Sequence, residues 1–301
     1  MDKFKEKFKT TQILVLGFIL IIFLGGVILS LPVSSKDNTF TPFLDCLFTA
    51  TSATCVTGLV VVPTAEHWSI FGQIVILLLI QVGGLGFITV MMTALILAGK
   101  KITLKERLVI QESFSLSQHS GLVRFIKFLV KFTLLIELTG AFVLTLRFLP
   151  DYGLVEAVGM GIFHSVSAFC NAGFDIIGTS SMIPYAEDVT VNLTIMLLVV
   201  MGGLGFPVWL ELIRLSKGFK NKEFTFKQWV KKISLHSKLA LTSTVILIFS
   251  GALITFLIEY NNSATMGEYS LKGKILASFF HSVVLRTAGF VSMDYGGLTG
   301  A

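Results

Sequence analysis

The stretch Ala53-Thr-Cys-Val-Thr-Gly-Leu59 decides how this chain is interpreted, because the sequence repeats its pattern twice more. The second copy is Ala168-Phe-Cys-Asn-Ala-Gly-Phe174, and the third is Leu285-Arg-Thr-Ala-Gly-Phe290. The glycines of the first and second copies are 115 residues apart, and those of the second and third are 116 apart. A period this long exceeds that of a solenoid and indicates duplication of a whole membrane module.

A short helix candidate precedes each copy. Phe48 and Phe163 lie ten residues before their glycines, whereas Phe280 lies nine before its own, so the third loop is predicted to be one residue shorter. The first candidate, Phe43–Ala53, is too short to cross about 30 Å of hydrocarbon. We therefore expect each one to be re-entrant and to return through its glycine loop. The other two candidates are Leu154–Ala168 and Ile275–Val284.

Composition indicates an all-α polytopic membrane protein. The 301 residues are 53% hydrophobic and only 14% charged, with a mean hydropathy of +0.82; soluble domains are far more polar. The net charge of +6 does not indicate a nucleic-acid partner, because the basic residues lie beside apolar spans. The three cysteines, Cys46, Cys55 and Cys170, are too few for a disulfide framework and are expected to be free thiols.

Apolar and basic segments alternate and divide the chain into modules. The predicted order is a cytoplasmic N-terminus (1–10), pore module 1 (11–99), a cytoplasmic linker (100–123), pore module 2 (124–215), a second cytoplasmic linker (216–237) and an incomplete pore module 3 (238–301). The predicted spans are 13–31, 70–98, 124–149, 191–215 and 239–258, with a turn at Pro150–Gly153. Because lysine and arginine are retained on the cytoplasmic side, all three modules should run in parallel.

The loops have the chemistry of a cation path. Irregular backbone at membrane depth is tolerated only when it is buried in protein or faces a water-filled cavity. Carbonyl oxygens can replace the hydration shell of a monovalent cation, and glycine permits the positive φ that turns successive carbonyls. The short helices direct their partially negative C-terminal ends toward the loops. Apart from Arg286 the loops carry no charged side chain, so backbone dipoles would be the ligands.

These loops, together with Gly83-Gly-Leu-Gly86 and Gly202-Gly-Leu-Gly205, resemble the Trk/Ktr/HKT superfamily of potassium transporters, and in particular a bacterial Ktr-type membrane subunit. The resemblance implies a selectivity filter built from four linked helix–pore loop–helix modules. By this resemblance, the residues expected to form the filter are each loop glycine and the four residues before it: Thr54, Cys55, Val56, Thr57, Gly58, Phe169, Cys170, Asn171, Ala172, Gly173, Leu285, Arg286, Thr287, Ala288 and Gly289.

The resemblance also implies transport properties and partners. It implies potassium uptake at the plasma membrane without a tightly bound cofactor, and it leaves sodium open as a coupling or activating ion. The implied partners are the lipid bilayer, a second copy of the chain and a cytoplasmic ring of nucleotide-binding (RCK-type) regulatory subunits. The second helix of module 3 and a fourth module are missing from this sequence. Residues 1–301 alone are therefore expected to insert into a membrane but not to transport.

Several residues keep more than one interpretation. Gly83, Gly84, Gly86, Gly202, Gly203 and Gly205 would serve close helix packing or form a hinge. Arg286 would repel a cation, so a buried ion pair that holds the loop is favoured over a role in conduction. The sequence assembles no nucleophile–base pair, phosphate loop or metal site, so an enzyme is not expected. The competing functions are a secondary solute carrier with broken helices and a non-conducting membrane scaffold.

The predicted orientation can be tested by cysteine labelling. A cysteine that replaces Lys222, within the basic linker, should resist a membrane-impermeant thiol reagent in intact cells and react after permeabilisation, because basic loops stay in the cytoplasm. The unsubstituted protein measures the background from the native thiols. Labelling of the new cysteine in intact cells would reverse the predicted orientation.

Overall fold

The computed structural model describes residues 10–97, 122–220 and 225–299, which form helices without a β-strand apart from one isolated bridge between Ser35 and Trp68. The chain divides into two compact units after Thr179. Helices in the first unit are α1 (Thr10–Leu29), α2 (Phe43–Cys55), α3 (Thr64–His67), α4 (Ile70–Leu85), α5 (Phe87–Leu97), α6 (Leu122–Tyr152) and α7 (Leu154–Phe169). Those in the second are α8 (Val189–Gly203), α9 (Phe206–Lys220), α10 (Phe226–Lys232), α11 (Leu235–Glu259) and α12 (Leu271–Val284).

The described helices match the predicted spans and short helices, with small differences at their ends. The three re-entrant candidates form α2, α7 and α12, of 13, 16 and 14 residues. The predictions for residues 1–9 and for most of the first linker, 100–121, lie outside the described residues. The three cysteines are free thiols, as predicted.

The predicted turn at Pro150–Gly153 is present but shorter than expected, because its first three residues are helical. Helix α6 continues through Pro150 to Tyr152, and Arg147 forms an ion pair with Asp151 at 2.9 Å within its last turns. The chain reverses one residue later, at Gly153, whose φ of +77° is unfavourable for any other residue. Proline is tolerated here because only the hydrogen bond of the final turn is lost, and the glycine makes the turn.

A long helix packs against the following short helix in each module: α1 against α2, α6 against α7, and α11 against α12. A small residue permits the close approach each time. A Cβ at Gly26 would lie 3.3 Å from the Leu47 Cα, and one at Gly161 would lie 2.7 Å from the Ala141 carbonyl oxygen. At Gly251 it would overlap the hydroxyl of Ser282. Close contact at a glycine therefore accompanies the packing of each short helix on its long helix, as small residues do in membrane helix pairs.

Among the described residues two continuous helices, α6 and α11, are long and apolar enough to cross a membrane, and the number is four if each of two bent helix pairs counts as one span. In the bent pairs, α4 and α5 meet at 97°, and α8 and α9 meet at 96°. The breaks fall at Gly86 and Gly205, with φ of +80° and +85°, so the predicted glycine interruptions of the long spans are sharp bends.

The start of α12 is held from outside its own helix. The side chain of Ser270 caps the helix by accepting the Gly273 N–H at 3.1 Å. The amide and hydroxyl of the same serine both donate to the Glu187 carboxylate at 2.8 Å, and these bonds hold the pKa of Glu187 below its ordinary value. The short helix of the third module is thereby tied to the segment that precedes α8.

The contact between α6 and α7 gives a prediction with a control on the same helix. Gly161→Ala should lower the thermal unfolding midpoint in detergent, because its Cβ would meet the backbone of Ala141; overpacking of this kind costs about 1–3 kcal/mol. Gly159→Ala should leave the midpoint equal or higher, since nothing lies within 4 Å of its Cβ and alanine favours a helix. Equal midpoints for the two variants would contradict the packing described here.

Candidate functional site

The first two loops begin with the same hydrogen-bonded ending of a helix. The Val56 N–H donates to the Ala53 carbonyl at 3.3 Å and the Thr57 N–H to that of Ser52 at 2.9 Å. In the second loop, Asn171 donates to Ala168 at 3.1 Å and Ala172 to Ser167 at 2.8 Å. This pair of bonds, spanning three and five residues, is the Schellman motif, which satisfies carbonyls that a helix end leaves free.

All three loops place left-handed residues at the same two positions. The residue two before each glycine has a positive φ, and so has the glycine itself. The pairs are Val56 (+57°) with Gly58 (+75°), Asn171 (+59°) with Gly173 (+71°), and Thr287 (+74°) with Gly289 (+75°). Asparagine is common in this conformation, whereas a β-branched valine or threonine is rare, so surrounding contacts must hold the first and third loops there.

The third loop is one residue tighter than the other two. Its Ala288 N–H donates to the Val284 carbonyl at 2.9 Å, four residues back, where the equivalent amides of the first two loops reach five back. This agrees with the shorter spacing from Phe280 to Gly289.

Hydrogen bonds within the second unit hold the residues that follow the third loop. The Val291 carbonyl accepts from the Met182 N–H at 2.8 Å, and the Phe290 carbonyl accepts from the Tyr295 hydroxyl at 3.2 Å. Burial raises the pKa of Tyr295 to about 12.

The first and second loops lie against each other within the first unit. A Cβ at Gly58 would sit 2.6 Å from the Ala172 carbonyl oxygen and 3.4 Å from the Gly173 Cα. The two filter glycines predicted from the sequence are thus neighbours across 115 residues of chain. The close approach and the positive φ each require glycine at position 58.

Helix α4 packs closely between these two loops because it has two consecutive glycines at the contact. A Cβ at Gly83 would overlap the Thr54 carbonyl oxygen of the first loop. One at Gly84 would overlap the Cys170 sulfur of the second and lie 3.3 Å from its Cα. These two glycines therefore serve close packing, whereas Gly86 and Gly205 form the bends of the long spans. Gly202 and Gly203 lie in the last turn of α8.

Polar side chains brace the second loop from the side of α7. His164 is fully buried: its Nδ1 lies 2.7 Å from the Met160 carbonyl, and its Nε2 accepts the Ile176 N–H at 3.2 Å. A carbonyl only accepts and an amide only donates, so the proton is assigned to Nδ1. The Ser167 hydroxyl donates to the Phe174 carbonyl at 2.6 Å. Both bonds therefore fix the exit side of the loop to the helix that enters it.

Arg286 does not show the ion pair expected of it. Its Nε is buried without a hydrogen-bond partner among the described residues, and no described carboxylate forms a salt bridge with its guanidinium. The neighbouring Leu285 and Thr287 are exposed, and Ala288 is buried.

In the described ranges, no group of three or more His, Cys, Asp or Glu side chains is arranged to hold a metal ion.

The sequence analysis missed two polar residues behind the second loop, Gln81 on α4 and Glu137 on α6. The Gln81 amide donates to the Glu137 carboxylate at 3.2 Å, and the Cys170 sulfur lies 3.9 Å from the other carboxylate oxygen. The available signal was the position of Glu137, an acid in the middle of an apolar span, where charges are costly and often functional.

Bent apolar helices and glycine loops between short helices define a polytopic helical membrane protein. The family described as TrkH, cation transport protein, matches residues 6–301. The Ktr system potassium uptake protein B of Bacillus subtilis (strain 168) is 41% identical over 292 residues, which are 97% of this chain and 62% of that protein. The potassium/sodium uptake protein NtpJ of Enterococcus hirae is 38% identical over 97% of this chain and 61% of its own length.

The chain therefore belongs to the TrkH family of cation transport proteins. It spans about three fifths of the length of these curated relatives. The resemblance to the Trk/Ktr group that the loops indicated is confirmed by the family and by the relatives.

The close packing of α4 between the loops gives a prediction for the site. Gly83→Ala should displace the Thr54 carbonyl, and we expect a lower thermal unfolding midpoint, with a loss of about 1–3 kcal/mol. Ile74→Ala, on the exposed face of the same helix, is the control and should change the midpoint less, because its side chain is half exposed. A midpoint for Gly83→Ala at or above that of the unsubstituted protein would rule out the close contact with the first loop.

Proposed function

We propose that this protein takes part in potassium uptake across the plasma membrane, along a path lined by backbone carbonyls of its glycine loops. The observation that carries the proposal is the shared backbone of the loops, with left-handed residues at the glycine and two before it. A left-handed residue reverses the local direction of its peptide groups, so such an alternation can present several carbonyl oxygens to one ion.

The electrostatics of the loops favour a cation over an anion. Helices α2, α7 and α12 each end at a loop, so their partially negative C-terminal ends face it. The first two loops contain no ionisable side chain except a cysteine thiol in each. Neutral carbonyl dipoles bind a monovalent ion weakly enough to release it, which a transport path requires.

The names of the relatives agree with this proposal and extend it. Two are called Ktr system potassium uptake proteins B and D, and a third is a potassium/sodium uptake protein. We propose potassium as the transported ion, with sodium as a second cation that activates or accompanies it. The further proposal, carried by the family resemblance, is a homodimer whose cytoplasmic face binds a ring of nucleotide-binding regulatory subunits.

Uptake is best measured in a potassium-uptake-deficient bacterial host. The chain is expressed alone and, in parallel, continued by the C-terminal remainder of the Bacillus subtilis Ktr system potassium uptake protein B. The second protein has the length of the relatives. Initial rates of potassium and sodium uptake at several concentrations give an apparent KM for each ion. The ratio of the two transport efficiencies reports ion discrimination independently of expression level.

Gly58→Ser and Gly173→Ser should lower the preference for potassium over sodium by about tenfold or more. Each replaces a glycine with φ above +70°, where a side chain costs about 1–2 kcal/mol of strain, and the first also meets the Ala172 carbonyl. Gly159→Ser, on the open face of α7, is the matched control and should keep the preference of the unsubstituted protein. Unchanged discrimination in both loop variants, with normal membrane insertion, would refute the filter assignment.

A further inference from the structure

Glu137 is an acidic residue buried in the middle of a membrane span, and the path proposed above does not use it. Its side chain is 5% exposed, and it lies on α6 between the apolar residues Ile136 and Leu138. A carboxyl group at such a position is costly unless specific partners compensate for the lost hydration. Its partners therefore indicate what the residue does.

Glu137 connects three parts of the first unit. One carboxylate oxygen accepts from the Gln81 amide on α4 at 3.2 Å, and the other lies 3.9 Å from the Cys170 sulfur. The amide oxygen of Gln81 lies 4.0 Å from the same sulfur, so the Cys170 thiol can donate a weak hydrogen bond to either group. The backbone carbonyl of Glu137 accepts from the Ser165 hydroxyl on α7 at 2.7 Å.

Cys170 is the first residue after α7 and belongs to the second glycine loop. Gly84 contacts it on one side, and Gln81 and Glu137 hold its sulfur. The backbone of the following residue, Asn171, is in the left-handed region, so the chain changes direction directly after Cys170. The position of Cys170 therefore sets where the loop starts. A shift of Cys170 would be passed directly to Ala172 and Gly173.

Glu137 lies in a largely apolar surrounding. A half-open pocket of about 250 Å³ lies beside it, and among the described residues its polar lining consists of Gln81 and Glu137. The remaining lining residues are Leu77, Leu78, Leu134, Leu138, Ala141, Ile162 and Val166. The carboxyl therefore lies among apolar side chains, and its bond to Gln81 and its contact with Cys170 compensate for the lost hydration.

We infer that Glu137 is a positioning residue for the second glycine loop: with Gln81 it anchors Cys170 and thereby sets how well that loop discriminates between potassium and sodium. The inference rests on the proposed function of the loop. The anchoring needs a hydrogen-bonding group of this size rather than a negative charge. Glutamine can accept from Gln81 and donate toward the sulfur, whereas leucine can do neither.

The test uses the chain continued to the relatives' length, and compares Glu137→Leu, Glu137→Gln and Gln81→Leu. Glu137→Leu and Gln81→Leu should each lower the preference for potassium over sodium by about tenfold, the size expected from losing one or two buried hydrogen bonds. Glu137→Gln should retain the preference to within about twofold. Gly159→Ala is the control on α7, since nothing lies within 4 Å of its added Cβ, and it should keep the preference.

Each outcome separates this inference from the proposed function. If Gly173→Ser alters discrimination and both leucine variants do not, the anchoring role is wrong and the filter assignment stands. If Gly58→Ser and Gly173→Ser also leave discrimination unchanged, the filter assignment itself fails. Equal losses in Glu137→Gln and Glu137→Leu would show that the charge matters, which overturns a positioning role. Gln81→Leu decides the matter if Glu137→Leu does not insert, because it leaves the buried carboxyl in place.

Discussion

Satisfaction of backbone hydrogen bonds in an apolar surrounding is the constraint on which this structure depends. A loop that interrupts helices in a membrane leaves carbonyl and amide groups without water, at a cost of several kcal/mol for each unpaired group. The bonds from Thr57 to Ser52 and from Ala172 to Ser167 meet part of this demand by closing the ends of α2 and α7. His164 and Ser167 pair further groups around the second loop. The carbonyls left over are those that would line the proposed path.

The same local geometry is reached with different residues in each loop, which limits what the sequence could reveal. The repeated glycine and the short apolar helix predicted the re-entrant segments, because both features follow from local spacing. Nothing in the sequence indicated that Val56 and Thr287 would adopt a conformation that β-branched residues avoid. Surrounding contacts impose that conformation, and Gly83 packed on the preceding carbonyl is one of them. Contacts of this kind join residues far apart in sequence.

Two further differences have separate origins, one local and one tertiary. Pro150 predicted the end of a helix, but the helix continues to the glycine that can turn the chain, so the stronger signal lay three residues later. The sequence analysis passed over Glu137, whose contacts with Gln81 and Cys170 appear only in the structure. The position of the loops in the chain was thus predictable from sequence, and their support was not. The support comes from tertiary contacts that no local pattern encodes.

The packing of α4 between the two loops has a consequence for how they can vary. Consecutive residues of an α-helix are separated by about 100° around its axis, so Gly83 and Gly84 present different sides of one rod to different loops. A rotation of α4 that relieved the contact at one glycine would tighten the contact at the other. The conformations of the two loops therefore cannot be changed independently through this helix. Insertion or deletion of a single residue ahead of Gly83 would turn both contacts away together. Changes in the length of α4 should therefore be far less tolerated than changes of its lipid-facing side chains.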